Sequence, residues 1–384
     1  MTNKKFKLAA MSLATAVAVS TVGPSASAVT YYLGDGSVTV DKDVDRGAYS
    51  YQGEDGSEEN RTYVNDEKEQ TGDGTIYVKD GNAPTGEVPP TTDNSENSDN
   101  GIEEATPTDH TTDSSADNTE NSSTSETTTT NTITVKEDVT GATIVVEGVN
   151  VDTSDTSTQT DTSAEVTADA DTKEDKTIIK VGEGADVDLT VKDSKLTTGG
   201  NGIDIGVNLD DKDDNKETNV DLTLDHTEIN LTEKDNTAGI VVRDNSTVDV
   251  TLKGENTIDG KEALEGAARE AEEAKKEGTS SPNRNVEGIR VGGENAGDDS
   301  SGEGASLTIK GDETSDQGSL NIDHTSTGMV ISNDSDVILT DNADVDIKHT
   351  EAGSSTQGGR GIVQRGDLTV EDKSSLTIDT VGNG

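Results

Sequence analysis

The chain has 384 residues, 79 of them acidic and 30 basic, for a formal net charge of −49; it has one Phe, six Tyr, no Trp and no Cys. So negative a surface repels nucleic acid and anionic lipid and draws in cations, and a chain without cysteine has neither disulfides nor thiolate chemistry. With so little aromatic volume the core must be narrow and aliphatic, which points to a repeat in which each unit buries a few Val, Ile and Leu against its neighbours.

In chain order, Lys4, Lys5 and Lys7 precede an apolar and small-residue run from Leu8 to about Val22. Gly23-Pro24 and the small-x-small pattern Ala26-Ser27-Ala28 follow. Residues 1–28 therefore read as a secretory signal peptide cleaved after Ala28. The run is too short and too rich in Ala, Ser and Thr to span a bilayer. The expected location is extracellular or at the cell surface, with no membrane insertion in the rest of the chain.

Residues 29–83 contain strand-like pieces at 37–40 and 75–78, and four of the six tyrosines lie between Tyr31 and Tyr51. This segment is expected to cap the N-terminal end and supply the first strands. Residues 84–130 are Thr-, Ser- and Asp-rich with almost no aliphatic side chains, so they predict a disordered linker or loop. Residues 131–384 carry the main repeat, with a second such loop predicted over 151–176.

From about residue 177 the chain becomes periodic. Gly202, Gly239, Gly288, Gly328 and Gly361 each precede a short apolar piece, at intervals of 37, 49, 40 and 33 residues. Second strands are expected at 220–224, 248–252, 305–309, 337–340 and 367–370. Third strands are expected at 228–231, 256–258, 319–322, 344–347 and 375–378. An earlier turn is visible in 178–181, 187–191 and 195–196. Apolar and polar residues alternate within each piece, so one side faces inward. Leu189, Leu222, Val250, Leu307, Leu339 and Leu368 are expected to stack as one inward ladder. The glycines are expected at sharp corners with positive φ. The fold class that follows is all-β: a right-handed parallel β-helix, a solenoid of three short strands per coil, with disordered acidic insertions. One short helix is inserted at 261–278, closed by Gly278. The chain stops where a further coil would begin, so more coils are expected beyond it.

Several phrases carry a resemblance: 30–36 (TYYLGDG), 248–258 (VDVTLKGENTI), 306–311 (SLTIKG) and 318–322 (GSLNI). Over about 29–80 and 177–384 the chain resembles a family of secreted, carbohydrate-binding β-helix domains from clostridia-like Gram-positive bacteria. The resemblance implies binding of acidic plant polysaccharide, helped by calcium.

The candidate chemistry lies on outward strand faces. Asp188, Asp221, Asp249, Ser306 and Asp367 form an expected column, interrupted by Ile338. Carboxylates about 4.8 Å apart repel unless a cation intervenes, so calcium is the expected cofactor, assisted by Asp336, Asp344 and Asp346. A solvated acidic face is the alternative. Thr190, Thr223, Thr251, Thr308, Thr340 and Thr369 form an expected second column that could order water or bind sugar hydroxyls; exposed strands also use Thr for its β-branching alone. The acidic run 210–215 lacks the turn Gly and the Glu of an EF-hand loop. His324 and His349 each follow a third strand and should stack in adjacent coils; zinc is conceivable there, but no further ligand is evident. Arg243, Arg290, Arg360 and Arg365 are the bases a lyase would need, but they sit near first strands. No catalytic residue is assigned. The expectation is a monomeric, non-catalytic binding module for polysaccharide or cell-surface glycan. The alternatives are a structural stalk or adhesin and a pectate-lyase-like enzyme.

Overall fold

The computed structural model describes residues 29–41, 47–52, 58–64, 75–81, 128–154, 176–209, 216–233, 236–278, 285–293, 304–312, 318–350 and 359–379. The leader 1–28, most of 84–130 and 151–176, and the acidic run 210–215 lie outside the described residues. Among the described residues, twenty-six strands form three sheets of nine, ten and seven strands, here called A, B and C.

Residues 29–79 supply β1 (Val29–Tyr32), β2 (Ser37–Val40), β3 (Gly47–Gln52), β4 (Glu58–Val64) and β5 (Thr75–Lys79). Then come seven complete coils, each a strand of sheet B, then A, then C. They are β6 (Ile133–Val135), β7 (Thr140–Glu147) and β8 (Asn150–Asp152); β9 (Ile179–Gly182), β10 (Asp186–Lys192) and β11 (Lys195–Thr198); β12 (Ile203–Val207), β13 (Thr218–Asp225) and β14 (Glu228–Leu231). The fourth and fifth are β15 (Thr237–Val242), β16 (Ser246–Lys253) and β17 (Glu255–Asp259), then β18 (Val286–Val291), β19 (Ser306–Gly311) and β20 (Ser319–Asp323). The last two are β21 (Thr327–Ile331), β22 (Asp336–Thr340) and β23 (Asp344–Lys348), then β24 (Arg360–Gln364), β25 (Asp367–Val370) and β26 (Ser375–Asp379). Every pairing is parallel except β3 with β4, an antiparallel pair that ends sheet B at its N-terminal edge. The parallel β-helix is thus the observed fold.

The first complete coil begins at Ile133, well before the periodicity legible from 177. Its signature is concealed because no glycine leads β6 and a Thr/Asp-rich stretch separates β8 from β9. Two predicted loop boundaries shift accordingly. Thr129 forms a bridge to Val151, and β8 takes 150–152 into sheet C.

Inward side chains form continuous aliphatic ladders, but not the single one expected. In register, Leu189, Leu222, Val250, Ile309, Leu339 and Val370 share one row of sheet A. Leu307 and Leu368 stand in the neighbouring row with Val187, Val220, Val248 and Val337. Side-chain alternation has a period of two, so a slip of two residues keeps the same side chains inward and leaves no trace in the pattern.

The leading glycines correct another expectation. Gly202, Gly239, Gly288, Gly328 and Gly361 are absent from the positive-φ set. Four of them are required by contact instead. A β-carbon on Gly202 would lie 2.6 Å from both the Gly239 carbonyl oxygen and Ile229 Cγ2, and Gly239 meets the Gly288 carbonyl and Ile258 in the same way. Gly288 and Gly328 repeat the arrangement against Ile322 and Ile347. The glycines therefore stack as a column against isoleucines of sheet C.

The inserted helix α1 (Lys261–Glu277) forms as expected and ends at Gly278, whose φ of 72° and N–H bond to the Ala274 carbonyl close it. Ala263, Leu264, Ala267 and Ala274 are its buried residues, and it packs beside β14. No helix among the described residues is long and apolar enough to cross a membrane.

Candidate functional site

Sheet A presents four outward columns. The first runs Asp186, Asn219, Thr247, Ser306, Asp336 and Asp367. The second runs Thr143, Asp188, Asp221, Asp249, Thr308, Ile338 and Thr369. The third is Val145, Thr190, Thr223, Thr251, Lys310 and Thr340. The fourth alternates in sign, Lys79, Glu147, Lys192, Asp225 and Lys253. In it Glu147 lies 3.2 Å from Lys79 and 3.8 Å from Lys192.

These registers divide the expected sites. Asp367 stands one column away from Asp188, Asp221 and Asp249. Thr308 and Thr369 join the aspartates rather than Thr190, Thr223 and Thr251. Asp344 and Asp346 are on β23 of sheet C, a different side of the prism. The cause is again the two-residue slip between β16 and β19, which alternation cannot reveal.

Three carboxylates therefore stand in a row and are engaged only at the ends. The Thr143 hydroxyl donates to Asp188 at 3.4 Å, and the Lys310 ammonium reaches Asp249 at 2.6 Å. Asp221, in the middle, has its pKa raised above the usual carboxylate value by desolvation, and then by the charges of Asp188 and Asp249. The row does not converge on a point. Among the described residues, the set of three or more metal-capable side chains whose ligand atoms all lie within 4.8 Å is Asp323, His324 and His349.

Sheet C offers a different geometry. Helix α1 stands off its outward face and leaves a groove of about 800 Å³ between them. Thr197 and Asn230 lie in its wall, with Lys195, Lys261 and Arg269 as cations and Glu228, Asp259, Glu262 and Glu265 as acids. Lys195 lies 3.4 Å from Glu228, which also accepts from the Asn230 amide at 2.8 Å. The Asp259 carboxylate accepts from the Lys261 backbone N–H at 2.9 Å and so holds the strand-to-helix turn. This groove is not among the sites expected from the sequence, because the pattern of an inserted helix does not show which sheet face it covers. The signal was the alternating charge of Lys195 and Glu228 on the strands that face it.

The corner after the third strands holds the histidines. Asp259, Asp323 and Lys348 occupy one register position on β17, β20 and β23, and His324 and His349 follow immediately. Both histidines have left-handed backbone, with φ of 48° and 46°. Their rings stack with centroids 5.2 Å apart and planes 16° from parallel. His349 Nδ1 lies 2.8 Å from Asp323 Oδ1. His324 Nδ1 lies 3.2 Å from Asp259 Oδ1 and 3.3 Å from Asp323 Oδ1, is buried, and makes no hydrogen bond. The expected stacking is present, and the structure adds the two aspartates.

Two of the arginines are tied down. Arg243 donates from Nε and Nη2 to the two oxygens of Asp204, each at 2.9 Å. Arg290 Nε donates to Glu287 at 2.6 Å, with both side chains buried. Both pairs belong to sheet B and its corner, away from the aspartate row. Compared with protein-family models, with curated proteins and with solved structures, the chain matches none.

Proposed function

We propose that the chain is an exported, non-catalytic binding module whose ligand is a polysaccharide or cell-surface glycan, seated between α1 and the outer face of sheet C. The observation that carries this reading is the mixed lining of that groove. A hydroxyl, an amide and charges of both signs line one wall-to-wall cleft. Sugar hydroxyls are both donors and acceptors, so they pair with such a lining, whereas an apolar ligand would leave it unsatisfied. Lys195, Lys261 and Arg269 also give the carboxylates of an acidic glycan a local partner on a chain of net charge −49. Calcium would assist by joining uronate carboxylates to Glu228, Glu262 or Glu265, since oxygen ligands suit it. Arg243 and Arg290, held by the buried carboxylates of Asp204 and Glu287, support a role without catalysis.

The test is affinity electrophoresis of the full chain through gels containing polygalacturonate, a neutral glucan or no sugar, with and without calcium. Retardation by sugar that is lost in Asn230→Ala and Arg269→Ala, but kept in Thr223→Ala on sheet A, supports the groove. Adhesion to cells with no retardation by any sugar would replace this reading with that of a stalk or adhesin.

A further inference from the structure

We propose that the corner after β20 and β23 is a binding site for one zinc-class divalent cation, with His324, His349 and Asp323 as ligands and Asp259 completing the set. The proposal does not depend on what the groove binds, although Asp259 belongs to both.

The ligand atoms of Asp323, His324 and His349 already lie within 4.8 Å of one another, and Asp259 Oδ1 lies 3.2 Å from His324 Nδ1. Four ligands about 2.0–2.1 Å from a zinc ion are about 3.3 Å from one another in a tetrahedron. Here His324 Nδ1 is 3.2 and 3.3 Å from the two carboxylates, and His349 Nδ1 is 2.8 Å from Asp323. Nitrogen and carboxylate together suit zinc and its transition-metal neighbours, while calcium and magnesium take oxygen. Two carboxylates and two neutral imidazoles also balance a divalent charge without a further counter-ion.

A second observation points to a ligand. His324 Nδ1 is buried beside two carboxylate oxygens yet hydrogen-bonds to neither. A buried nitrogen left without a partner is costly, and a cation between the three groups would engage its lone pair. Lys348, next in register to Asp323, does not fill the corner. Its ammonium turns to Asp346 at 2.7 Å and to Asn321 at 3.2 Å. Asp323 is also held from below, because its Oδ1 accepts the His324 backbone N–H at 2.9 Å. Such outer contacts orient a ligand before the metal arrives.

The experiment titrates zinc chloride into the chelator-treated full chain by calorimetry and follows melting in parallel. One zinc per chain is expected, with a rise in melting temperature that equal calcium or magnesium does not reproduce. His324→Asn and His349→Asn, in which Asn tolerates the left-handed backbone, should each weaken zinc at least about tenfold. His226→Asn, on the sheet A corner, should leave it unchanged. Cobalt(II) should give a visible d–d spectrum that His349→Asn abolishes, and this holds as a readout should the His324 variant fail to fold. Absence of zinc uptake, zinc affinity unchanged from the native chain in both corner variants, or an equal shift with calcium would overturn the proposal.

Discussion

Gly239 stands directly over Gly288 in the column of leading glycines, so that a β-carbon on Gly239 would lie 2.9 Å from the Gly288 carbonyl oxygen and 2.5 Å from Ile258 Cγ2. Neither glycine is needed for a left-handed turn. The constraint is steric, set by the coil above and by sheet C. Gly239→Ala should therefore cost about 2–3 kcal/mol, as overpacking of a close-packed interior does. Urea unfolding would show a lower midpoint with an unchanged slope. An alanine as stable as the native chain would mean that the coils can separate locally at no cost.

Asp221 is partly desolvated and stands between the like charges of Asp188 and Asp249, which raises its pKa above 3.8. The folded chain thus binds this proton more tightly than the unfolded chain does. Stability attributable to Asp221 falls as pH rises from 3.8 through the raised value, and the penalty then persists at neutral pH. Asp221→Asn should raise stability at neutral pH by no more than a few tenths of a kcal/mol, because Asp221 is exposed and solvent screens its neighbours' charges. The gain should shrink in high salt and vanish below pH 3.8. Melting curves at two ionic strengths and two pH values check this. A loss of stability at neutral pH would mean that the ionised carboxylate is held by a cation.

Asn256 is an inward-facing amide in sheet C, 1% exposed and in register with Leu320. Its Oδ1 accepts the Thr227 N–H at 2.9 Å, and its amide donates to the Lys253 and Ser319 carbonyls at 3.1 and 3.2 Å. One side chain thereby pairs main-chain groups of three successive coils. Asn256→Leu would match the aliphatic row yet leave those groups without partners, and should cost about 3 kcal/mol. Hydrogen exchange would show the change first at the Thr227 amide. Continued protection there would disprove the pairing.

Asp346 and Lys348 form a solvent-facing pair along β23, 2.7 Å apart. The hydrogen bond from Lys348 holds the Asp346 carboxyl below 3.8, and its return effect lifts Lys348 above 10.5. The carboxylate's contribution is complete above 3.8 and is lost as pH falls through the lowered value. The ammonium's contribution is complete below 10.5 and is lost only as pH rises through the raised value. Lys348→Met should cost under about 1 kcal/mol between those limits and nothing in acid, since exposed pairs contribute little. Equal losses at neutral pH and in acid would assign the effect to the lysine's methylenes instead.

The amino-acid sequence by itself determined the class of fold. The period-two alternation, the scarcity of aromatic volume and the recurring glycines together require stacked short strands with an aliphatic interior. The helix at 261–277 was equally legible, because Ala, Glu and Lys with a closing Gly278 need no tertiary partner to declare it. What only the tertiary structure decided is which coil faces which. A slip of two residues preserves every inward and outward assignment, so Asp367, Thr308 and Thr369 could be placed in the right face and still in the wrong column. The same limit hid Asp259 from His324 and Asp323 from His349. Each pair lies far apart along the chain and meets through strand pairing between coils, which local pattern does not encode.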